Sequence, residues 1–202
     1  MKKHKIALML FFGVLFLQGC GVSAKGIALT KGDIQEALVG GEEFVSGDIS
    51  MGKNDEATSA YAVAWDRKRE NCVIGGQEFQ DCFDSISHIV EVFESDEQCH
   101  EKLNAMYDPS NIDKSLETQT ARLNLGTMIM PEPDKHFIEY IKGPNGILGQ
   151  NMIFCYNNVY VSIAWINFAS SQDGKVVMNH AFDLYHLADI VMAKIQQKEG
   201  DK

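Results

Sequence analysis

An α+β fold, with an antiparallel sheet packed against helices and the C-terminal helix lying on that sheet, is what this 202-residue chain predicts. Three observations predict it. Short alternating segments recur through residues 59–168 with a helical segment between them. Asn157-Asn158 joins two of those segments as a two-residue turn. The last apolar pattern changes period: Ala181, Leu184, Ala188, Val191 and Ile195 recur every three or four residues, the stripe of a helix that buries one side. Runs of antiparallel strands with helices between and after them define the class.

The elements follow in order. Thr30 to Val39 reads as a helix, with Thr30 as cap, Ile34, Ala37 and Leu38 on one face, and Gly40-Gly41 as the stop. Phe44 to Met51 reads as a weak strand. Ser59 to Trp65 alternates cleanly, with Tyr61, Val63 and Trp65 against three alanines. Residues 67–83 are polar and contain Gly75-Gly76, and read as a loop. His88 to Glu94 is a strand, and Ser95 to Gln98 is a capping box that opens a helix to Tyr107, before Pro109. Cys99, Leu103, Met106 and Tyr107 share one face of it. Residues 110–126 give no clear period. Thr127 to Met130 and Lys135 to Lys142 read as strands, with a turn at 144–146. The hairpin Gln150–Tyr156 and Val159–Phe168 comes next, and a helix from about Asn179 to Gln197 closes the domain.

The two-residue turn fixes a register: Tyr156 opposite Val159, Cys155 opposite Tyr160, Phe154 opposite Val161. One face then carries Ile153, Cys155, Tyr160, Ser162 and Ala164; the other carries Met152, Phe154, Val161, Ile163 and Trp165.

The first twenty residues have a separate logic. Lys2, Lys3, His4 and Lys5 precede an apolar run of 12 residues, Ile6 to Leu17. As a helix it measures ~18 Å, too short for a hydrocarbon core of ~30 Å, and it fits the apolar part of a signal peptide. Leu17-Gln18-Gly19-Cys20 resembles the bacterial lipobox, with Gln18 a departure where a small or β-branched residue is usual. That resemblance implies cleavage after Gly19 (signal peptide 1–19), diacylglycerol on Cys20, a tether over 20–29, one domain over 30–197 and a tail at 198–202. Two or three acyl chains hold a protein firmly where one does not. A plain secretory signal with an incidental Cys20 is the other reading. The expected place is the cell envelope: the outer membrane facing the periplasm in a Gram-negative host, otherwise the outer face of the cell membrane.

Without the leader, 15 basic side chains face 28 acidic ones, a net charge of −13 against −10 for the whole chain. Such a surface repels phosphates and anionic head groups, which excludes a nucleic-acid partner and a polybasic membrane grip. Cys72, Cys82, Cys99 and Cys155 remain. An even number in an oxidising compartment predicts two disulfides, of three possible connectivities. Proximity favours Cys72–Cys82, which leaves Cys99–Cys155; a zinc site is the rival reading, without any CxxC or HxxxH pair to support it.

Three segments, IALTKGDIQEALVG (27–40), HIVEVFESDEQCHEKLNAMY (88–107) and GQNMIFCYNNVYVSIAW (149–165) before a terminal helix, carry a family likeness. Together they resemble the extracellular sensor domain of actinobacterial receptor serine/threonine kinases of the PknH type, which also occurs in free-standing lipoproteins. Asn157-Asn158-Val159 is the most specific piece. The resemblance implies an antiparallel sheet with helices, two disulfides and a ligand-binding cleft. Cys99 at the start of its helix and Cys155 late in its strand depart from the family's usual cysteine positions.

Catalytic signatures are missing from the sequence: it has no nucleophile elbow, Walker loop, dinucleotide fingerprint, HExxH or EF-hand loop. His180, Asp183 and His186 form the local His/Asp cluster, readable as a solvated helix face or as a metal or acid–base site. Glu132, Asp134 and His136 alternate before a strand, as loop polarity or as cation ligands. Strand aromatics belong to cores more often than to sites, yet Tyr140, Tyr160 and Trp165 are candidates to line a cleft. The expectation is a non-enzymatic, lipid-anchored binding or sensor-like domain with no cofactor, taking a small ligand or an envelope protein. An inhibitor or immunity lipoprotein that blocks a basic toxin or hydrolase is the alternative, favoured by the acidic charge.

Overall fold

The computed structural model describes residues 22–38, 40–47, 49, 54–74, 76–106, 135–143, 146–170, 176–177 and 184–200. The expected strand at Thr127–Met130, the segment 110–126 and the leader with Cys20 lie outside them. The fold is α+β. Five long antiparallel strands form the sheet: β2 (Ser59–Ile74), β3 (Gln77–Val92), β4 (Lys135–Gly143), β5 (Gly146–Tyr156) and β6 (Val159–Ser170). Two short strands, β1 (Val45–Gly47) and β7 (Val176–Val177), add to it. The strand order is β1-β2-β3-β6-β5-β4, with β7 beside the end of β6.

The β5–β6 hairpin has the register that its turn predicts: Tyr156↔Val159, Cys155↔Tyr160, Phe154↔Val161. Asn157 takes the left-handed backbone that such a turn needs, with φ 49°. Both asparagine side chains are used. Asn157 donates to Glu199 Oε1 (2.7 Å), and Asn158 donates to the Phe93 carbonyl (2.6 Å), whose own N–H returns to Asn158 O (2.9 Å). The turn therefore latches the last helix and the entry to the middle one.

The two faces of the sheet are covered differently. On the first, Trp65, Ile86, Val90, Met152, Phe154, Val161, Ile163 and Trp165 are buried under three helices. These are α1 (Ala24–Ile27), α2 (Lys31–Ala37) and α4 (Leu184–Gly200). The α4 stripe holds as expected: Leu184, Ala188, Val191 and Ile195 are buried, joined by Leu187 and Met192. Each large apolar side chain removed from water contributes roughly 1.5–3 kcal/mol, so this helix is held by packing. Ala181 lies outside the described residues, and α4 runs on to Gly200, through most of the expected tail. On the second face α3 (Asp96–Met106) packs Cys99 and Leu103 onto Ile153, Cys155 and Tyr160. Met106 is half-exposed, but its sulfur accepts the Tyr160 hydroxyl (2.9 Å).

Thr30 caps α2 as read, in a reciprocal box with Asp33: the Thr30 hydroxyl accepts from Asp33 N (3.3 Å) and Thr30 N donates back to Asp33 Oδ2 (2.5 Å). After it Gly40 turns at φ 70°, and Gly41 sits so close to Ile34 O and the Gln35 Cα that a side chain would collide.

Two expectations need correction. Residues 22–29 are no tether: Ala24, Ile27, Ala28 and Leu29 are at most 2% exposed, wedged between the sheet and α4. Four apolar side chains in a short segment without a long period are enough to fill a gap that other elements frame. Nor is 67–83 a loop. β2 and β3 run through it as one hairpin, with Gly76 at φ 82° in the turn. Its outer strands are exposed on most positions, so no hydrophobic alternation marks them.

Both disulfides take the expected pairs, Cys72–Cys82 and Cys99–Cys155, each with Cα atoms 6.1 Å apart. Asn71 takes a left-handed backbone, φ 55°, just before Cys72, and the pairing register is the same on either side of it, Glu70↔Asp81 and Cys72↔Phe79.

Candidate functional site

Polar groups buried in the first face make the most organised constellation among the described residues. Arg67 and Asp84 are direct partners across the β2–β3 hairpin, and Asp84 is in turn the partner of Asn167 on β6. Arg67 Nε and Nη2 donate to Asp84 Oδ2 at 3.1 and 2.9 Å, and Trp165 Nε1 donates to Oδ1 at 3.3 Å. The Arg67 guanidinium also donates to Gly40 O (3.0 Å) and lies 4.6 Å from the centre of the Phe44 ring. Arg67 is 5% exposed and Asp84 and Asn167 not at all. Toward solvent, Glu43 and Arg69 extend the network with contacts of 3.8–3.9 Å. A carboxylate that holds the Arg67 guanidinium and the Trp165 indole inside the domain orients the sheet end against Gly40 and Phe44.

His88 occupies the middle of the same face, opposite Val63 and Ile163. Its Nδ1 accepts the Leu29 N–H (3.0 Å), which fixes the other nitrogen, Nε2, as the protonated one, and that N–H has no hydrogen-bond partner among the described residues. Burial, with Lys194 adding to it, pushes the imidazole down to about 3 from its ordinary 6.5. The folded state therefore keeps His88 neutral while the unfolded chain takes up a proton below pH 6.5. Stability is full above that value and falls as pH drops from about 6.5 toward 3, by roughly 1.4 kcal/mol per unit, or about 2 kcal/mol by pH 5. Urea unfolding between pH 7 and 5 should show that slope, and His88→Gln, whose amide oxygen keeps the Leu29 hydrogen bond, should flatten it. Equal slopes for both proteins would refute the assignment.

Lys194 ties the first and last helices: it donates to Ala28 O (3.0 Å) and Asp33 Oδ2 (2.5 Å). Burial raises the Asp33 carboxyl, but the hydrogen bonds from Lys194 and Thr30 outweigh it and hold it below the usual 3.8. On the second face Lys102 pairs with the buried Glu91 and lies 4.5 Å from the Tyr160 ring centre, and burial lowers its ammonium. Asn54 donates to the other Glu91 oxygen (3.0 Å).

The three cleft candidates do not converge. Trp165 and Tyr160 are both 3% exposed and stand on opposite faces of β6, Trp165 under α1, α2 and α4, Tyr160 under α3. Tyr140 belongs to β4, where its register partner Gln150 is also the partner of Trp165. Alternation alone separates 160 from 165, so the signal was present in the sequence. His180, Asp183, Glu132 and Asp134 lie outside the described residues; His136 is in β4 and His186 on the exposed side of α4. Among the described residues no three metal-ligating side chains come together, and no helix is long and apolar enough to cross a membrane.

The Arg67–Asp84–Trp165 cluster escaped the sequence reading because it joins three strands. Its one local signal is the Gly75-Gly76 turn, which, taken as a hairpin, places Arg67 directly across from Asp84. Comparison with protein-family models, curated proteins and solved structures finds no match for the chain.

Proposed function

We propose that the chain is a lipid-anchored, non-enzymatic binding domain of the cell envelope, sensor-like in kind, whose partner is an envelope macromolecule rather than a small apolar ligand. The observation that carries the reading is Leu17-Gln18-Gly19-Cys20 after a positive start and an apolar run. Two paired disulfides support it, since such bonds persist in oxidising compartments. The preference for a macromolecular partner follows from Tyr160 and Trp165, which are spent on two separate cores. For the same reason Trp165→Ala is a test of stability and not of ligand binding.

The anchor is tested by the mass of the mature N-terminal peptide from the native host. Diacylglycerol on Cys20, absent from Cys20→Ala, is the expected result; an unmodified Cys20 in a cleaved chain would sink the reading. The inhibitor alternative is favoured by the −13 charge and by the exposed Glu94, Asp96 and Glu97 at the opening of α3. It requires that capture of a basic partner weaken as salt rises, because exposed charges are screened.

A further inference from the structure

The corrected placement of residues 22–29 has a geometric consequence for that anchor. Ala24 is fully buried, and its N–H donates to Ser59 Oγ (3.1 Å). Ser59 is the first residue of β2, paired with Val92, which pairs with Val159 beside the Asn157-Asn158 turn. The chain thus enters the fold at one end of the sheet, and from there it runs inward to Leu29 beside His88. Four peptide links separate Cys20 from Ala24, a reach of at most ~14 Å when fully extended.

We propose that the domain sits directly on the bilayer that holds its lipid, with the Ser59–Val92–Val159 end of the sheet against the head groups. The proposal rests on lipidation of Cys20. The groups at that end are polar: Ser23, Asn157 and Asn158 are uncharged, Lys25, Lys198 and Glu199 stand around them, and the exposed Asp55, Glu56 and Glu94 border the end beside Thr58 and Phe93, a mixture that suits a zwitterionic head-group zone. Large exposed apolar side chains, among the described residues, are Val45, Val73 and Met106; Val73 belongs to the opposite end, Val45 pairs with Asp66 away from Ser59, and the half-exposed Met106 is held by the Tyr160 hydroxyl. So this surface rests on the bilayer and does not insert. The far end is the β2–β3 turn with Cys72–Cys82. Sixteen residues of β2 at about 3.3 Å each place it ~50 Å along the strand from Ser59. The end offered to a partner is therefore the disulfide-bonded hairpin tip.

The test uses the full lipidated protein in phosphatidylcholine vesicles that contain a nitroxide head-group lipid. A dye is attached at Gln197→Cys on α4 or at Glu78→Cys on the hairpin tip, both exposed positions. Quenching several-fold stronger at 197 than at 78 is expected, falling when a flexible Gly-Ser segment is inserted between Gly21 and Val22. Equal quenching at both sites, or strong quenching at 78, overturns the seating. The mass of each preparation separates the two failures. Lipid present without quenching at 197 defeats the seating alone, and lipid absent defeats the anchor and the seating with it.

Discussion

Asp84→Ala is expected to destabilise the domain by about 3–5 kcal/mol, because it strips a buried guanidinium of the carboxylate that neutralises it. Arg67 keeps its contact with Gly40 O, but Glu43 is 3.9 Å away and half-exposed, too weak a substitute. Trp165 loses its hydrogen bond to Oδ1 in the same step. The charge is costly chiefly when left alone, so the double variant Arg67→Met/Asp84→Leu should be less destabilised than the sum of its singles. A double-mutant cycle by urea unfolding measures this. Strict additivity would mean that the pair is not coupled, against the geometry. The exposed pair Lys68–Asp81 serves as contrast: at 3.1 Å it is only slightly longer than the buried pair at 2.9 Å, yet with side chains 65% and 45% exposed its loss should stay under ~1 kcal/mol.

Removing Cys99–Cys155 should cost about 4 kcal/mol and removing Cys72–Cys82 about 3 kcal/mol. The first closes a separation of 56 residues and the second only 10, and a longer loop restrains the unfolded chain more. Alanine at both positions of each pair keeps the buried sites apolar. The first pair also fastens α3, whose buried contacts within the second core are otherwise Leu103 against Phe93, Ile153 and Tyr160. Amide exchange should therefore rise across 96–106 in that variant and stay unchanged across the β2–β3 hairpin. Equal costs, or exchange rising first at the hairpin, would refute this ranking.

Local chemistry made much of the fold legible. Thr30 with Asp33, the stripe of α4 and the Asn157-Asn158 turn each act within a few residues, so their signals survive in sequence. From that turn alone the partners Tyr156 to Phe154 follow, and with them which residues of β6 share a face. The rest depended on distant partners. Ala24 and Ile27 are buried because β2 and α4 frame a space for them, and nothing near them in sequence records it. The outer parts of β2 and β3 pair with each other while facing water, so polarity there carried no strand signal. Of the candidate site, Cys72–Cys82 was foreseen by proximity and Cys99–Cys155 by elimination. Arg67, Asp84 and His88 were not, since a polar residue in a strand looks the same whether its partner is water or another strand.

The bond between Lys194 and the Ala28 carbonyl spans 166 residues of sequence. A chain made from its N-terminus delivers Ile27 early and α4 last. Ile27 and Leu29 must then wait, exposed, until the closing helix arrives. Contacts of such separation make assembly slow and leave it incomplete in any shortened product. Loss of the final two turns of α4 would uncover the beginning of the chain as well as its end. Cellular quality control would meet a truncated copy as an open N-terminal wedge.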